Sequence, residues 1–139
     1  DLVRDYVFDM DRMIAFEGDT GPYLQYAHAR ICSLLEKGNQ ADLDSASLQL
    51  AAPAERQLAL VLLRYAEVVA DVADSLEPHR LCGYLHEVAD SFSSFYQACP
   101  VLKAEDESLI RSRLRLCDLV RRVLGDGLGL LGIEAPSRM

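Results

Sequence analysis

Two tyrosines and an arginine recur at helical spacing early in the chain. Tyr23, Tyr26 and Arg30 stand three and four residues apart, which places them on one face of a helix. Tyrosine rings and planar guanidinium groups are used by proteins to stack on the unpaired bases of RNA loops. The same spacing is also typical of tyrosines that pack against a neighbouring helix. Taken alone, the pattern leaves base stacking and structural packing both open.

The helix that carries these residues has recognisable boundaries. Thr20 or Asp19 is a candidate N-cap, Pro22 suits the first turn, and Gly38 is expected to end the helix. We therefore predict a helix over residues 22–37. Its apolar stripe lies roughly 110° around the axis from the tyrosines and is expected to face the core. The stripe consists of Leu24, Ala27, Ile31, Leu34 and Leu35.

Four other segments are predicted to be helical from the spacing of their apolar residues. They cover residues 9–16, 54–76, 79–98 and 105–124, whereas residues 39–53 are predicted to form a loop with a short helical turn. Gly125, Gly127 and Gly129 are expected to end the last helix. Because no alternating strand pattern occurs, the predicted fold is all-α, a bundle of four to five helices without a sheet.

Motifs of common enzymes are absent or stand in the wrong context. A Gly-x-Gly-x-x-Gly string follows a helix instead of a strand, so it does not indicate a dinucleotide site. His79, Cys82 and His86 share a helix face, but no fourth metal ligand is evident and we expect them to be packing residues. We therefore predict no catalysis, no metal and no cofactor within this chain.

Charge is distributed unevenly along the sequence. The formal net charge is −8, which is unfavourable for a nucleic-acid binder. Residues 108–139 hold six arginines and three carboxylates, a net charge of +3, so residues 1–107 carry −11. Arg111, Arg115 and Arg122 are candidate phosphate contacts in this basic segment. A solvated helix with salt bridges would show the same charges, so that interpretation stays open.

Several features bear on the compartment and the assembly. No run of 18 apolar residues and no signal-like start occurs, so we expect no membrane contact. The four cysteines form no Cys-x-x-Cys pair, and helical patterns run through all of them, which indicates reduced thiols. We expect a cytoplasmic monomer. Because the chain begins at an aspartate, we expect it to be a piece of a longer protein.

A segment near the start resembles the class I arginyl-tRNA synthetases. That family has Gly-x-Thr-x-x-Tyr-x-Gln-Tyr-x-x-x-Arg at the start of its helical anticodon-binding domain. The pattern is filled here by Gly18, Thr20, Tyr23, Gln25, Tyr26 and Arg30. The resemblance continues in order along nearly the whole chain. It includes His79-Arg80-Leu81, Tyr84-Leu85, Phe95-Tyr96, Arg113-Leu114, Leu130-Leu131-Gly132-Ile133 and the final Arg138-Met139.

The resemblance implies roles for individual residues. Tyr23, Tyr26 and Met139 match family positions that contact the anticodon loop of tRNA(Arg). Arg30 matches the motif arginine, and two roles stay open for it: pairing with a phosphate or holding the end of the chain. Residues 19–139 would be the anticodon-binding domain, and residues 1–18 would be the end of the catalytic region and a linker.

The resemblance also implies a parent enzyme. It would join arginine to tRNA(Arg) with ATP and magnesium in a catalytic domain that this sequence lacks. That missing domain is then an expected partner, along with tRNA(Arg). The alternative hypothesis is a helical protein-interaction module without direct RNA readout, which the acidic net charge favours.

Overall fold

The fold is a bundle of helices. The computed structural model describes residues 5, 7–16, 18, 20–39, 42–104 and 106–139. The elements in chain order are α1 (Met10–Met13), α2 (Gly21–Gly38), a 3₁₀ turn (Leu43–Ser45), α3 (Pro53–Leu63), α4 (Tyr65–Ser75), α5 (Pro78–Ala98) and α6 (Glu107–Leu130). The described residues contain no strand, and the long helices α2 to α6 confirm the predicted bundle. Within this described part, no helix is long and apolar enough to cross a membrane.

The core forms around α5 and α6. Helix α5 contacts α2, α3, α4 and α6, and α6 also contacts α2, α3 and the 3₁₀ turn. Four residues of the predicted α2 stripe are buried, and burying a leucine or isoleucine side chain contributes about 1.5–3 kcal/mol. The buried stripe residues are Leu24, Ala27, Ile31 and Leu34.

Helix α2 begins and ends close to the predicted positions. The Thr20 hydroxyl oxygen accepts a hydrogen bond from the Tyr23 amide at 3.2 Å. The same hydroxyl donates to the Ala15 carbonyl at 2.6 Å, so one side chain both caps α2 and ties it to the segment after α1. Asn39 ends the helix in the left-handed region with φ +42°. The alternative cap, Asp19, lies outside the described residues.

The N-terminal segment is less helical than predicted. Asp9 caps α1 by accepting from the Arg12 amide at 3.2 Å, but the helix ends at Met13 because Ile14 leaves the helical region. The expected extension to residue 16 is therefore wrong. Large apolar side chains remain exposed here, with exposed fractions from 42% to 84%. They are Val7, Phe8, Met10, Met13, Ile14 and Phe16.

The single helix predicted over residues 54–76 is wrong because the chain breaks into α3 and α4 at Arg64. The break has a physical cause in α5. The hydroxyl of buried Tyr84 donates to the Val61 carbonyl at 3.0 Å, and the Arg64 amide donates to the same carbonyl at 3.2 Å. That carbonyl therefore accepts two hydrogen bonds, one from the side chain of Tyr84 and one in a tight i→i+3 turn, at the point where the α-helical hydrogen bonding is interrupted. Helix α4 then restarts with the Tyr65 ring stacked on Tyr84 at 6.1 Å.

A buried ion pair joins three parts of the fold. Glu55 is fully buried, and one of its carboxylate oxygens accepts from the Arg113 Nε at 2.7 Å. The other oxygen accepts from the Ala52 amide at 2.8 Å and so caps the start of α3. Arg113 also donates to the Pro100 carbonyl at 2.8 Å. The pair therefore fixes α3 and the turn after α5 against α6.

The glycines near the end of the chain do not terminate α6, and that prediction is wrong. The helix continues to Leu130. A Cβ atom on Gly127 would lie 2.5 Å from the Leu85 Cδ2, and one on Gly125 would lie 3.3 Å from the His28 Nε2. The two glycines therefore allow α5 and a histidine of α2 to approach the backbone of α6.

The actual end of α6 is a Schellman motif. Gly132 adopts φ +72°, which favours glycine, and its amide donates to the Gly129 carbonyl at 3.0 Å. The Ile133 amide donates to the Leu128 carbonyl at 2.9 Å. Glu105, the predicted first residue of this helix, lies outside the described residues. The motif turns the last residues back along α2.

The four cysteines are free thiols, as predicted. Cys99 and Cys117 are buried, and Cys32 and Cys82 are partly buried. Burial raises the pKa of the Cys117 thiol to about 12. A thiol with that pKa and no solvent access is chemically inert, so Cys117 serves packing.

Candidate nucleic-acid interface

A cleft with a basic rim opens between α2, the turn after α5 and the tail, which we define as residues 133–139. We call it the basic cleft, and its volume is about 920 Å³. Its buried and partly buried apolar lining consists of Ala29, Leu34, Phe92, Tyr96, Val101 and Leu102. Its exposed basic side chains are Arg30, Lys37, Lys103 and Arg138. The one side-chain carboxylate among the described lining residues is that of Glu36, which pairs with Arg138 at 3.3 Å.

Three of the four residues predicted for the anticodon site line this cleft. The Tyr26 side chain is 47% exposed, and its ring contacts the Phe16 ring edge-on at a centroid distance of 6.4 Å. The Arg30 guanidinium lies 4.6 Å above the centre of the Tyr96 ring. Met139 is 61% exposed at the tail's end of the cleft. The structure therefore brings Tyr26, Arg30 and Met139 together.

Tyr23 occupies a different place and is absent from the described lining. Its ring stacks on His86 of α5 with an interplanar angle of 4° and a centroid distance of 5.9 Å. Its hydroxyl donates to the Asp90 carboxylate at 3.0 Å. Burial raises the pKa of this phenol. Tyr23 thus ties α2 to α5, although its predicted contact with RNA stays a prediction.

The three arginines predicted as phosphate contacts hold the loop around the 3₁₀ turn against α6. Arg111 donates to the Asp42 carbonyl at 3.2 Å, and Arg115 donates to the Ala46 carbonyl. Arg122 pairs with Asp44 at 2.9 Å, an ion pair that raises its pKa. None of the three lines the basic cleft.

Several residues of the cleft are not among those predicted from the sequence. Lys37 lies on the helix face of Tyr26 and Arg30, so helical spacing alone was a usable signal. Lys103 follows Pro100 in an irregular turn, and no local pattern marks it. Tyr96 supports the guanidinium of Arg30, a contact that depends on how α2 packs against α5. Neither lysine forms an ion pair with any residue in the described ranges.

The predicted histidine and cysteine face of α5 lines a separate groove against α3. His79, Cys82 and His86 border this groove, whose volume is about 760 Å³. The ring of His86 is occupied by stacking on Tyr23. Among the described residues, no group of three histidine, cysteine or acidic side chains is arranged to hold a metal ion.

The known proteins that are similar in sequence to this chain are arginine–tRNA ligases. The arginine–tRNA ligase of Cutibacterium acnes is 52% identical over an alignment of 151 positions, which covers 99% of this chain and 27% of that protein. The arginine–tRNA ligase of Frankia casuarinae is 55% identical over 137 residues, which cover 98% of this chain and 23% of that protein. The chain thus spans about a quarter of the length of these relatives.

Solved structures agree with the sequence relatives. Thermus thermophilus arginyl-tRNA synthetase superposes with a TM-score of 0.83 and 44% identity, over 91% of this chain and 22% of that one. Arginyl-tRNA synthetase of Plasmodium falciparum superposes with a TM-score of 0.85 and 28% identity, over 98% and 24% of the two chains.

The sequence model of the DALR anticodon binding domain matches residues 24–139, which include the whole of α3 to α6 and the tail. The relatives confirm the resemblance to arginyl-tRNA synthetases. The chain therefore belongs to the family of DALR anticodon-binding domains.

Proposed function

We propose that this chain binds the anticodon loop of tRNA(Arg) in the basic cleft. The observation that carries the proposal is that Tyr26, Arg30 and Met139, from opposite ends of the chain, line one cleft. An exposed tyrosine ring and an apolar thioether offer surfaces on which unpaired bases stack. A base splayed out of the loop could stack on these surfaces within one cleft.

The charges of the cleft suit an RNA ligand although the whole chain is acidic. Arg30, Lys37 and Lys103 surround an apolar lining that includes Tyr96. Phosphates of the loop would be neutralised by these cations, while the remaining acidic surface would oppose binding elsewhere. A small positive region on an acidic body therefore favours one binding position over many.

The chain would act as one part of a longer ligase. Residues 1–18 would be the end of the catalytic region and a linker, and residues 19–139 would form the tRNA-binding domain. Catalysis with ATP and magnesium would take place in the catalytic domain, so this chain alone would not activate arginine. We expect such a ligase to be a cytoplasmic monomer that contacts tRNA(Arg) through this domain.

A second candidate function is docking on the catalytic domain without RNA readout. The observation that favours it is the group of exposed apolar side chains before α2, including Val7, Phe8 and Ile14. Such a patch on a single domain marks an interaction surface. Docking by this segment and RNA binding by the cleft involve different residues, so they are separable by mutation.

A fluorescence anisotropy titration tests RNA binding. The probe is a labelled anticodon stem-loop of tRNA(Arg), with a stem-loop of changed anticodon as a comparison, at two salt concentrations. We expect preferential, salt-dependent binding that Tyr26→Ala weakens by about 1–3 kcal/mol through the loss of one stacking surface.

A matched pair of arginine variants controls for net charge. Arg30→Gln and Arg80→Gln each remove one positive charge, but Arg80 lies outside the described cleft and pairs with Glu77. We expect Arg30→Gln to weaken binding clearly more than Arg80→Gln does. Binding that is insensitive to salt, or equal losses in the two variants, would contradict a site in the basic cleft.

A further inference from the structure

Two side chains of α2 hold the backbone of the tail by hydrogen bonds. The Gln25 amide nitrogen donates to the Glu134 carbonyl at 2.8 Å. The His28 Nδ1 lies 2.9 Å from the Pro136 carbonyl oxygen. The two bonded carbonyls stand two residues apart in the tail, and Gln25 and His28 stand about one turn apart on α2, so the helix holds the tail at two points. Both bonds join residues more than 100 positions apart.

The His28 side chain is held in one place by its surroundings. Its side chain is 6% exposed, and Gly125 leaves room for the ring against α6. A carbonyl oxygen only accepts hydrogen bonds, so the Nδ1 atom must carry the proton in this contact. The ring therefore acts as a donor enclosed between α6 and the tail.

The tail passes Gln25 and His28 between the end of α6 and the basic cleft. The Schellman motif with Gly132 at φ +72° sets the direction at the start. Immediately after the Pro136 anchor, the last three residues line the cleft: Ser137, Arg138 and Met139. The outer ion pair of Arg138 with Glu36 has side chains 81% and 58% exposed, so it contributes little to the position of the tail.

We propose that Gln25 and His28 are positioning residues of the basic cleft. They hold the tail so that Met139 lines the same cleft as Tyr26 and Arg30, and neither Gln25 nor His28 lines the cleft itself. This inference rests on the proposed function for its effect on RNA affinity. Its structural half, the restraint of the tail, is independent of any ligand.

The restraint is tested first without RNA. Gln25→Met keeps the side-chain length and removes the donor, and His28→Leu removes the donor from the ring position. His28→Asn is the conservative variant, because its amide nitrogen can stand near the position of the Nδ1 atom. In the 139-residue chain, the backbone order of the tail is followed by 15N relaxation of its amides, from which Pro136 is absent. We expect the order parameters of these amides to fall below about 0.6, the range of a flexible segment, in Gln25→Met and His28→Leu. We expect His28→Asn to keep most of the order.

RNA affinity is then measured in a double-mutant cycle with the anticodon stem-loop. Gln25→Met is made in the 139-residue chain and in a version that ends at Ile133, with circular dichroism confirming the helical fold of each. We expect Gln25→Met to weaken binding about three- to tenfold in the 139-residue chain and to have no further effect in the shortened one. A residue that merely stabilised α2 would act equally in both.

The outcomes separate the two proposals. Unchanged order parameters of the tail in both donor-removing variants, or an equal loss of affinity with and without the tail, overturns the positioning role and leaves the proposed function intact. Absence of any binding by the unaltered chain, with a tail that is released as expected, overturns the proposed function and the effect on affinity together.

Discussion

Two glycines of α6 allow the packing of the fold to be tested with one kind of substitution. Gly127→Ala and Gly129→Ala lie on the same helix, two residues apart. An alanine in place of a helical glycine stabilises by up to about 1 kcal/mol, and this gain is similar at the two positions. A Cβ on Gly129 meets nothing within 4 Å, whereas a Cβ on Gly127 would lie 2.5 Å from the Cδ2 and 3.2 Å from the Cγ of fully buried Leu85.

The difference between the two variants therefore isolates the cost of overpacking. Forcing a methyl group into a filled core costs about 1–3 kcal/mol. We expect Gly129→Ala to be equal to or more stable than the unaltered chain, and Gly127→Ala to be less stable than Gly129→Ala by about 1–3 kcal/mol. With a urea m-value of about 2 kcal/mol/M, the midpoints would differ by about 0.5–1.5 M.

Urea unfolding followed by circular dichroism at 222 nm measures both midpoints. If the glycines ended the helix in a left-handed conformation, alanine would destabilise both positions. Equal midpoints, or a lower midpoint for Gly129→Ala, would refute the close approach of α5 to α6 at Gly127.

Two further predictions concern buried groups and use the same unfolding assay. Glu55→Gln leaves Arg113 without its buried carboxylate and is expected to lower the free energy of unfolding by about 3 kcal/mol. Glu87→Gln breaks an exposed ion pair and is expected to cost under about 1 kcal/mol, so similar losses would contradict the argument. Burial raises the pKa of Tyr84 to about 12, above the value near 10 of an unfolded chain, so the neutral phenol favours the folded state. Stability from Tyr84 is complete below pH 10 and is lost as the pH rises toward 12, and we expect Tyr84→Phe to show a shallower decline between pH 9 and pH 11.

The sequence was sufficient for the class of fold and for most helices. Apolar residues at three- and four-residue steps predicted α2 and α5 to within a residue or two, because one face of each helix is buried along its length. The cap at Thr20 followed from local chemistry alone. Tyr26 was predicted as a site residue from a motif, and it lies in the cleft.

The remaining features depend on contacts between distant segments. Gly127 has the same local appearance as a helix terminator, and only the position of Leu85 explains its role within α6. Tyr23 and Tyr26 are equivalent on a helical wheel, but the packing of α5 against α2 pairs the first with Asp90 and leaves the second exposed. The break at Arg64 similarly coincides with a hydrogen bond from Tyr84, which lies 23 positions after Val61 in the chain. Local patterns therefore could not separate packing residues from site residues here.

The tail has a consequence for the order in which the molecule folds. The neighbouring helices α3, α4 and α5 form contacts between residues close in the chain, whereas the bonds of Gln25 and His28 to the tail span 109 and 108 positions. The packing of α6 on α2 already closes most of this loop, so the bonds to the tail can form only after those two helices have met. The tail with Met139 should therefore dock last during folding and detach first during local unfolding. Variants in these contacts would mainly accelerate its detachment and leave the folding rate of the bundle nearly unchanged.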